Sequence, residues 1–279
     1  MGLPDHIVEA VTRVAESDLD TVKEWLENGG DVNDGFEEGR CRTLRLGILY
    51  ERIEVVKLAI FYGANVNTPV DGEAPLFAAV IADPYRINGT DPCSQRHKEH
   101  ILDVLSLLLD AGARIDAATP TADYCYIAGE TALSCAIDWL RFDRDYAAEN
   151  GLAYVSLLLR RGAKLDNCWG GRSAEECLRH VEDPSAFPEL EGAYCVTRPP
   201  TKIKAYVTAC KKMISDERRR RYMLPRRAFL RLRSLALRGR AKPAGPILSS
   251  VVRLPNELIW HILSFWPAEA PPPTPSPRS

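Results

Sequence analysis

A chain of 279 residues, 46% hydrophobic and 27% charged, has the make-up of an ordinary globular protein with one large or two small domains. Its net charge of −2 points to no class of partner. The longest apolar run, Ile101 to Leu109, is far short of a membrane span and contains Asp103, which excludes a transmembrane reading.

The chain opens without a secretory pattern: Met1 to Ala10 carries Asp5 and Glu9, and no apolar stretch follows. The eight cysteines (Cys41, Cys93, Cys125, Cys135, Cys168, Cys177, Cys195 and Cys210) form no Cys-x-x-Cys pair. They read as reduced thiols of a cytoplasmic or nuclear protein, several acting as small core residues.

One phrase then recurs in chain order: an apolar helix, Gly, a small or polar residue, one apolar residue, and Asn or Asp. It reads Val22 to Asn33, Val55 to Asn67, Val104 to Asp116 and Val155 to Asp166. The apolar residues fall at helical spacing on one face. The glycine ends the helix in a left-handed conformation. The next apolar residue tucks under the helix. Asn or Asp then starts a turn, by bonding nearby backbone amides.

A shorter helix precedes each long one. It is clearest at Ala74 to Val80 and Glu130 to Ile137, and degenerate at Thr43 to Gly47. Pro75 suits a first helical turn, and Thr131 a cap. Small residues here let paired helices approach closely.

These residues resemble the ankyrin repeat, with its T-P-L-H-x-A helix, second helix and G-A-D/N-V-N turn. No copy keeps the His, and Ala74-Pro-Leu-Phe77 lacks the Thr. The resemblance implies an all-α solenoid of about five helix-turn-helix repeats that binds another protein through its repeat surface.

Asn33 and Asn67 lie 34 residues apart, whereas Asp116 and Asp166 follow after 49 and 50. Repeats three and four therefore carry insertions. The spacing places them as exposed loops at Asp83 to His97, Thr119 to Gly129 and Phe142 to Gly151. A divergent fifth repeat starts at Asn167, with Ser173 and Glu176 spaced for a capping box. A loop from Pro184 to Pro200 leads to a helix over Thr201 to Met213. The repeats thus span 1–214.

Composition changes after that. Lys202 to Lys242 holds fifteen Lys and Arg against Asp216 and Glu217. The basic patch Arg218, Arg219, Arg220, Arg221, Arg226 and Arg227 lies in a helix-favouring segment, 215–250. It fits nuclear targeting, a nucleic-acid or anionic-membrane surface, or a solvated helix against acidic repeats. Sparse aromatics argue against single-stranded RNA, and make nucleic acid the weaker expectation.

A break at Lys242-Pro-Ala-Gly-Pro246 precedes Arg253 to Trp266. Leu254, Pro255, Glu257, Leu258, Ile262 and Leu263 resemble the first helix of an F-box, here within 251–266. That resemblance implies recruitment of a ubiquitin-ligase adaptor subunit; packing of the helix on the chain itself is the other reading. A Pro-rich tail, 267–279, reads as disordered.

No phosphate loop, zinc-protease motif or nucleophile elbow occurs. Cys93, His97 and His100 lack a fourth ligand at a metal spacing and read as exposed polar residues. The expectation is a monomeric, non-catalytic protein with a protein target and no cofactor, metal or membrane.

Overall fold

The computed structural model describes residues 3–13, 16–33, 43–69, 73–81, 95–119, 129–141, 145–183, 200–238, 254–255 and 258–259. Among these the protein is all-helical, and extended pairing consists of isolated bridges, among them those of Trp169 with Glu130 and Arg172. Two compact units divide within one helix, between Lys211 and Lys212.

The first unit is built from helix pairs. They are α1 (Asp5–Thr12) with α2 (Glu16–Glu27), and α3 (Thr43–Leu49) with α4 (Ile53–Phe61). Then come α5 (Pro75–Ile81) with α6 (Gln95–Asp110), and α7 (Ala132–Asp138) with α8 (Asp145–Arg160). Helix α9 (Ala174–Glu182) closes this row, and α10 (Pro200–Arg218) spans the division. The first helices of successive pairs touch in chain order, α1, α3, α5, α7 and α9. The second helices, α2, α4, α6 and α8, do the same. Two layers result, with the core between them.

Local sequence explains these elements. α5 begins on Pro75, whose missing N–H costs nothing in a first turn. Thr131 and Ser134 form a capping box at α7, and Ser173 and Glu176 form one at α9. The short helices are apolar nearly throughout, because they lie between neighbours on both sides: Leu76, Phe77, Leu133 and Ile137 are fully buried. The long helices end on Gly29, Gly63, Gly112 and Gly162, all with φ between 84° and 100°. The residue after each glycine reaches back across the turn, as Ala64 N does to Ala59 O at 2.9 Å. Val32, Val66 and Leu165 then tuck into the core.

The recurring Asn or Asp of the first three phrases does something other than start a local turn. Asn33 Oδ1 accepts from Asn65 N at 2.7 Å, and its Nδ2 donates to Gly63 O at 3.2 Å. Asn67 repeats both bonds one unit on, to Arg114 N (2.7 Å) and Gly112 O (3.0 Å). Asp116, an acceptor only, takes Lys164 N at 2.8 Å. Each side chain therefore joins its own turn to the next. The local bond falls to the residue two places earlier: Asp31 accepts from Asn33 N and Asn65 from Asn67 N.

The insertions also differ from the loop expectation. α6 starts at Gln95 and α8 at Asp145, so residues 95–97 and 145–151 are helical. Each of these helices has 16 residues against 9 in α4. The added turns are covered: His97, Ala147, Ala148 and Asn150 are buried. Gly151 allows this, since a Cβ there would lie 2.8 Å from Ala136 O and 2.9 Å from the Trp139 Cβ. Residues 82–94, 120–128, 142–144 and 184–199 lie outside the described residues.

Asn67→Ala should lower the free energy of unfolding by about 1–2 kcal/mol, the net value of two partly exposed hydrogen bonds. Asn67→Asp, which keeps the acceptor and loses the donor, should fall between. Urea unfolding followed by circular dichroism checks the order; an alanine variant as stable as the native chain contradicts it.

Candidate interaction surfaces

The cross-repeat bonds fix one row of positions. They hold the backbone N–H groups of Asn65, Arg114 and Lys164, and leave these side chains, with Asp31 before them, exposed. The row grades from acidic through neutral to basic. Arg161, which bonds Asp110 at 2.5 Å, and exposed Arg160 extend the basic end at the close of α8. Because each backbone is held from the preceding turn, the row is ordered before any partner arrives.

At the far end of the row, Thr119 N bonds Glu130 O and Gly129 N bonds Thr119 O, both at 2.8 Å. These close the turn whose middle residues are not described. Gly170 N then bonds Gly129 O at 3.1 Å, and Thr131 Oγ1 donates to Cys168 O at 2.7 Å. The guanidinium of Arg172 stacks over the Trp169 ring, 5.3 Å from its centre.

Charged groups are buried where repeats meet. Arg45 pairs with Glu73, both nearly covered. His97 is 2% exposed, with Nδ1 2.6 Å from Glu51 Oε1. Glu51 is held there by a left-handed backbone, φ 54°, unusual for a side-chain-bearing residue. His97 is thus a buried inter-repeat contact and not the exposed polar residue its neighbours in sequence suggest; His100 is half-buried, and Cys93 lies outside the described residues. Among the described residues no three His, Cys, Asp or Glu side chains gather as metal ligands would.

A third buried group links α7 to α9. Arg141 Nη1 donates to Asp138 Oδ1 at 3.1 Å and to His180 Nε2 at 3.0 Å. Arginine only donates, so His180 accepts through Nε2. The Trp169 ring covers His180, 5.7 Å between centres. Burial pushes Asp138 up to about 6, because the loss of water outweighs its single contact with Arg141.

Cys135, Cys168, Cys177 and Cys210 are free and buried. Burial raises all four thiols, Cys177 and Cys210 to about 12, so they stay protonated and serve as small packing residues. Cys41, Cys93, Cys125 and Cys195 lie outside the described residues.

The second unit contains the basic patch and part of the F-box-like segment. A π-helical turn, Arg219–Met223, joins α10 to α11 (Leu224–Leu237). Pro225 explains it: proline has no N–H for the carbonyl four residues back, and its ring crowds that carbonyl, so the ladder widens. The arginines of the run differ in their partners. Arg220 Nε (2.8 Å) and Arg221 Nε (2.6 Å) both donate to the buried carboxylate of Glu217, whose pKa these bonds lower. Arg219 and Arg227 are exposed, Arg218 is half-buried, and the Arg226 side chain is not described.

Within the F-box-like segment, Arg233 Nη2 donates to Leu254 O at 2.7 Å. Ile259 N bonds Pro255 O at 3.1 Å, a helical turn begun at the proline. Ile259 is 1% exposed whereas Leu258 is 49% exposed. Glu257, Ile262 and Leu263 lie outside the described residues, and so do residues 261–279 as a whole. Among the described residues no helix is long and apolar enough to cross a membrane.

No protein-family model matches the chain, and no curated protein matches it.

Asp138 supplies a test of the buried cluster. Its folded pKa, about 6, lies above the ordinary 3.8. The folded state therefore holds the proton more tightly, and this group's stabilising contribution is complete below about pH 4 and lost as pH rises through about 6. Asp138→Asn keeps an acceptor for Arg141 and removes the titration. It should narrow the fall in stability between about pH 4 and about pH 6, read from urea midpoints; an unchanged fall contradicts the assignment.

Proposed function

We propose that this chain is a non-catalytic binding protein built on ankyrin-type repeats, which grips a protein target through its aligned turns. One observation carries the reading: the same side chain, Asn33, Asn67 or Asp116, bonds the following turn at each of three successive junctions. A bond repeated in this way keeps neighbouring turns in one register and presents Asp31, Asn65, Arg114 and Lys164 side by side. A rigid row binds without the cost of ordering loops. Four buried, unpaired thiols support a cytoplasmic or nuclear setting.

The test uses the full chain as bait, with cross-linking to identify the partner and to map the contact. Arg114→Glu with Lys164→Glu reverses the basic end of the row at exposed positions. Loss of the cross-linked partner at unchanged melting temperature supports the reading. A partner held equally by the variant, or cross-links that avoid the turns, counts against it.

A second reading has its own observation. Leu254 is held by Arg233 and Ile259 is buried, so the beginning of the F-box-like helix is anchored while Leu258 stands exposed. An anchored segment that turns Leu258 outward suits docking into an apolar groove, as recruitment of a ubiquitin-ligase adaptor subunit requires. Leu258→Asp should abolish co-purification of that subunit and leave the melting temperature unchanged. Ile259→Asp should instead destabilise the chain, by placing a charge in a buried site. Equal destabilisation by both would assign the segment to packing alone.

A further inference from the structure

We propose that the exposed face of α11 binds the phosphate backbone of double-stranded nucleic acid. Arg227 and Arg231 of α11, and Arg238 in the turn directly after its last residue Leu237, are all exposed. At about 3.6 residues per turn they fall within a wedge of roughly 40° around the helix axis. At about 1.5 Å per residue, Arg227 and Arg231 are spaced about 6 Å along that axis, and Arg238 follows about 10 Å further on. Carried one residue past the helix end, that geometry sets the three arginine positions in one line.

Its charge is not neutralised locally. No Asp or Glu occurs between Glu217 and Glu257. Glu217, the nearer of these in the described chain, is taken by Arg220 and Arg221. Arg233 does not belong to the stripe: it points to the other side of the helix, where it holds Leu254 O. The chain thus sorts its arginines into those that bind this unit together and those left facing outward.

The kind of partner follows from what surrounds the stripe. A helix lying in a membrane surface presents its bulky apolar face to the lipid. In α11 the bulky residues Phe229, Leu230, Leu232 and Leu235 are half-buried; Leu237, its last residue, is exposed but lies off the line of the arginines, so no broad apolar face is turned outward. Proteins that hold single strands stack bases on aromatic rings. The aromatic residue of α11, Phe229, is not on the stripe. A duplex offers phosphates at regular spacing along a rigid line. Guanidinium groups recognise phosphate oxygens through paired N–H donors. Three such contacts carry no base readout, so binding is independent of sequence. This surface is distinct from the turn row and from Leu258, and stands or falls without them.

The experiment is fluorescence anisotropy of the full chain with labelled DNA and RNA duplexes of about 20 base pairs, from about 50 to about 200 mM NaCl. Three phosphate contacts predict a slope of log K against log salt near −3. The triple variant R227Q/R231Q/R238Q should lose at least about tenfold in affinity and flatten the slope, while R227K/R231K/R238K should retain it. If the triple variant melts early, R231Q alone should reduce the slope by about one. Absence of binding to both duplexes at low salt overturns the proposal. So does a triple variant that binds like the native chain, equal competition by polyglutamate, or capture on phosphatidylserine vesicles without duplex binding.

Discussion

The first unit depends on a side-chain amide placed where one turn meets the next. Asn33 and Asn67 each satisfy a backbone N–H and a backbone C=O of the following turn. Those groups lie at the end of a helix, where neither has an intrahelical partner. The left-handed glycines make this possible by turning the chain so that the freed carbonyl of Gly63 or Gly112 faces the preceding repeat. The bond ties together residues 30 to 47 positions apart, so it tolerates any length of chain between them. That tolerance explains why two repeats can carry insertions and remain in the row. Those of the extra residues that are described, 95–97 and 145–151, enter as added helical turns on α6 and α8, whose backbone groups satisfy one another, while the turns keep their register.

A bond that is the same at every junction cannot decide which repeat follows which. The buried charged groups differ from junction to junction, and so they can. Arg45 meets Glu73, Glu51 meets His97, and Arg141 bridges Asp138 and His180. Removing one member of a buried pair costs about 3–5 kcal/mol, because the other is left as an uncompensated charge. A neighbour packed out of order would incur that cost. The apolar faces of the short helices, rich in Ala, Leu and Val, supply adhesion and little discrimination. Stacking energy and stacking order thus come from different residues.

Features governed by neighbours in sequence were legible in the sequence. The glycine stops, Pro75 at a first turn, the caps at Thr131 and Ser173, and the buried apolar residue of each turn follow from rules acting within five or six residues. What escaped depends on contacts across repeats. Asn at the close of a turn looks like a local turn residue, and only the position of the next turn shows where its amide points. His97 reads as loop because Asp83 to Cys93 is rich in turn residues; its burial is set by Glu51 in another repeat. Gly151 suggests a break, yet it lies inside α8, since the approach to Ala136 leaves no room for a side chain. For the F-box-like segment, periodicity marked an apolar face but could not distinguish Leu258 from Ile259, adjacent residues with opposite fates.

The second unit shows how a strongly basic stretch is tolerated in a folded chain. Like charges packed together repel, and a stretch of sequence with twelve Lys and Arg from residue 218 to residue 253 and no acid among them has little local relief. Two devices reduce the cost. Glu217 directly precedes the run and takes Arg220 and Arg221, one turn on, on one buried carboxylate, an arrangement that keeps its pKa low. The widened turn at Arg219–Met223 then changes the phase of the helix, because a π turn adds one residue before the ladder resumes. Arginines before and after Pro225 are thereby rotated out of a single continuous face. What remains outward on α11 is a short stripe and not a belt. Its charge is separated from that of Arg220 and Arg221, which are already paired, so on α11 the positive potential is concentrated at Arg227 and Arg231.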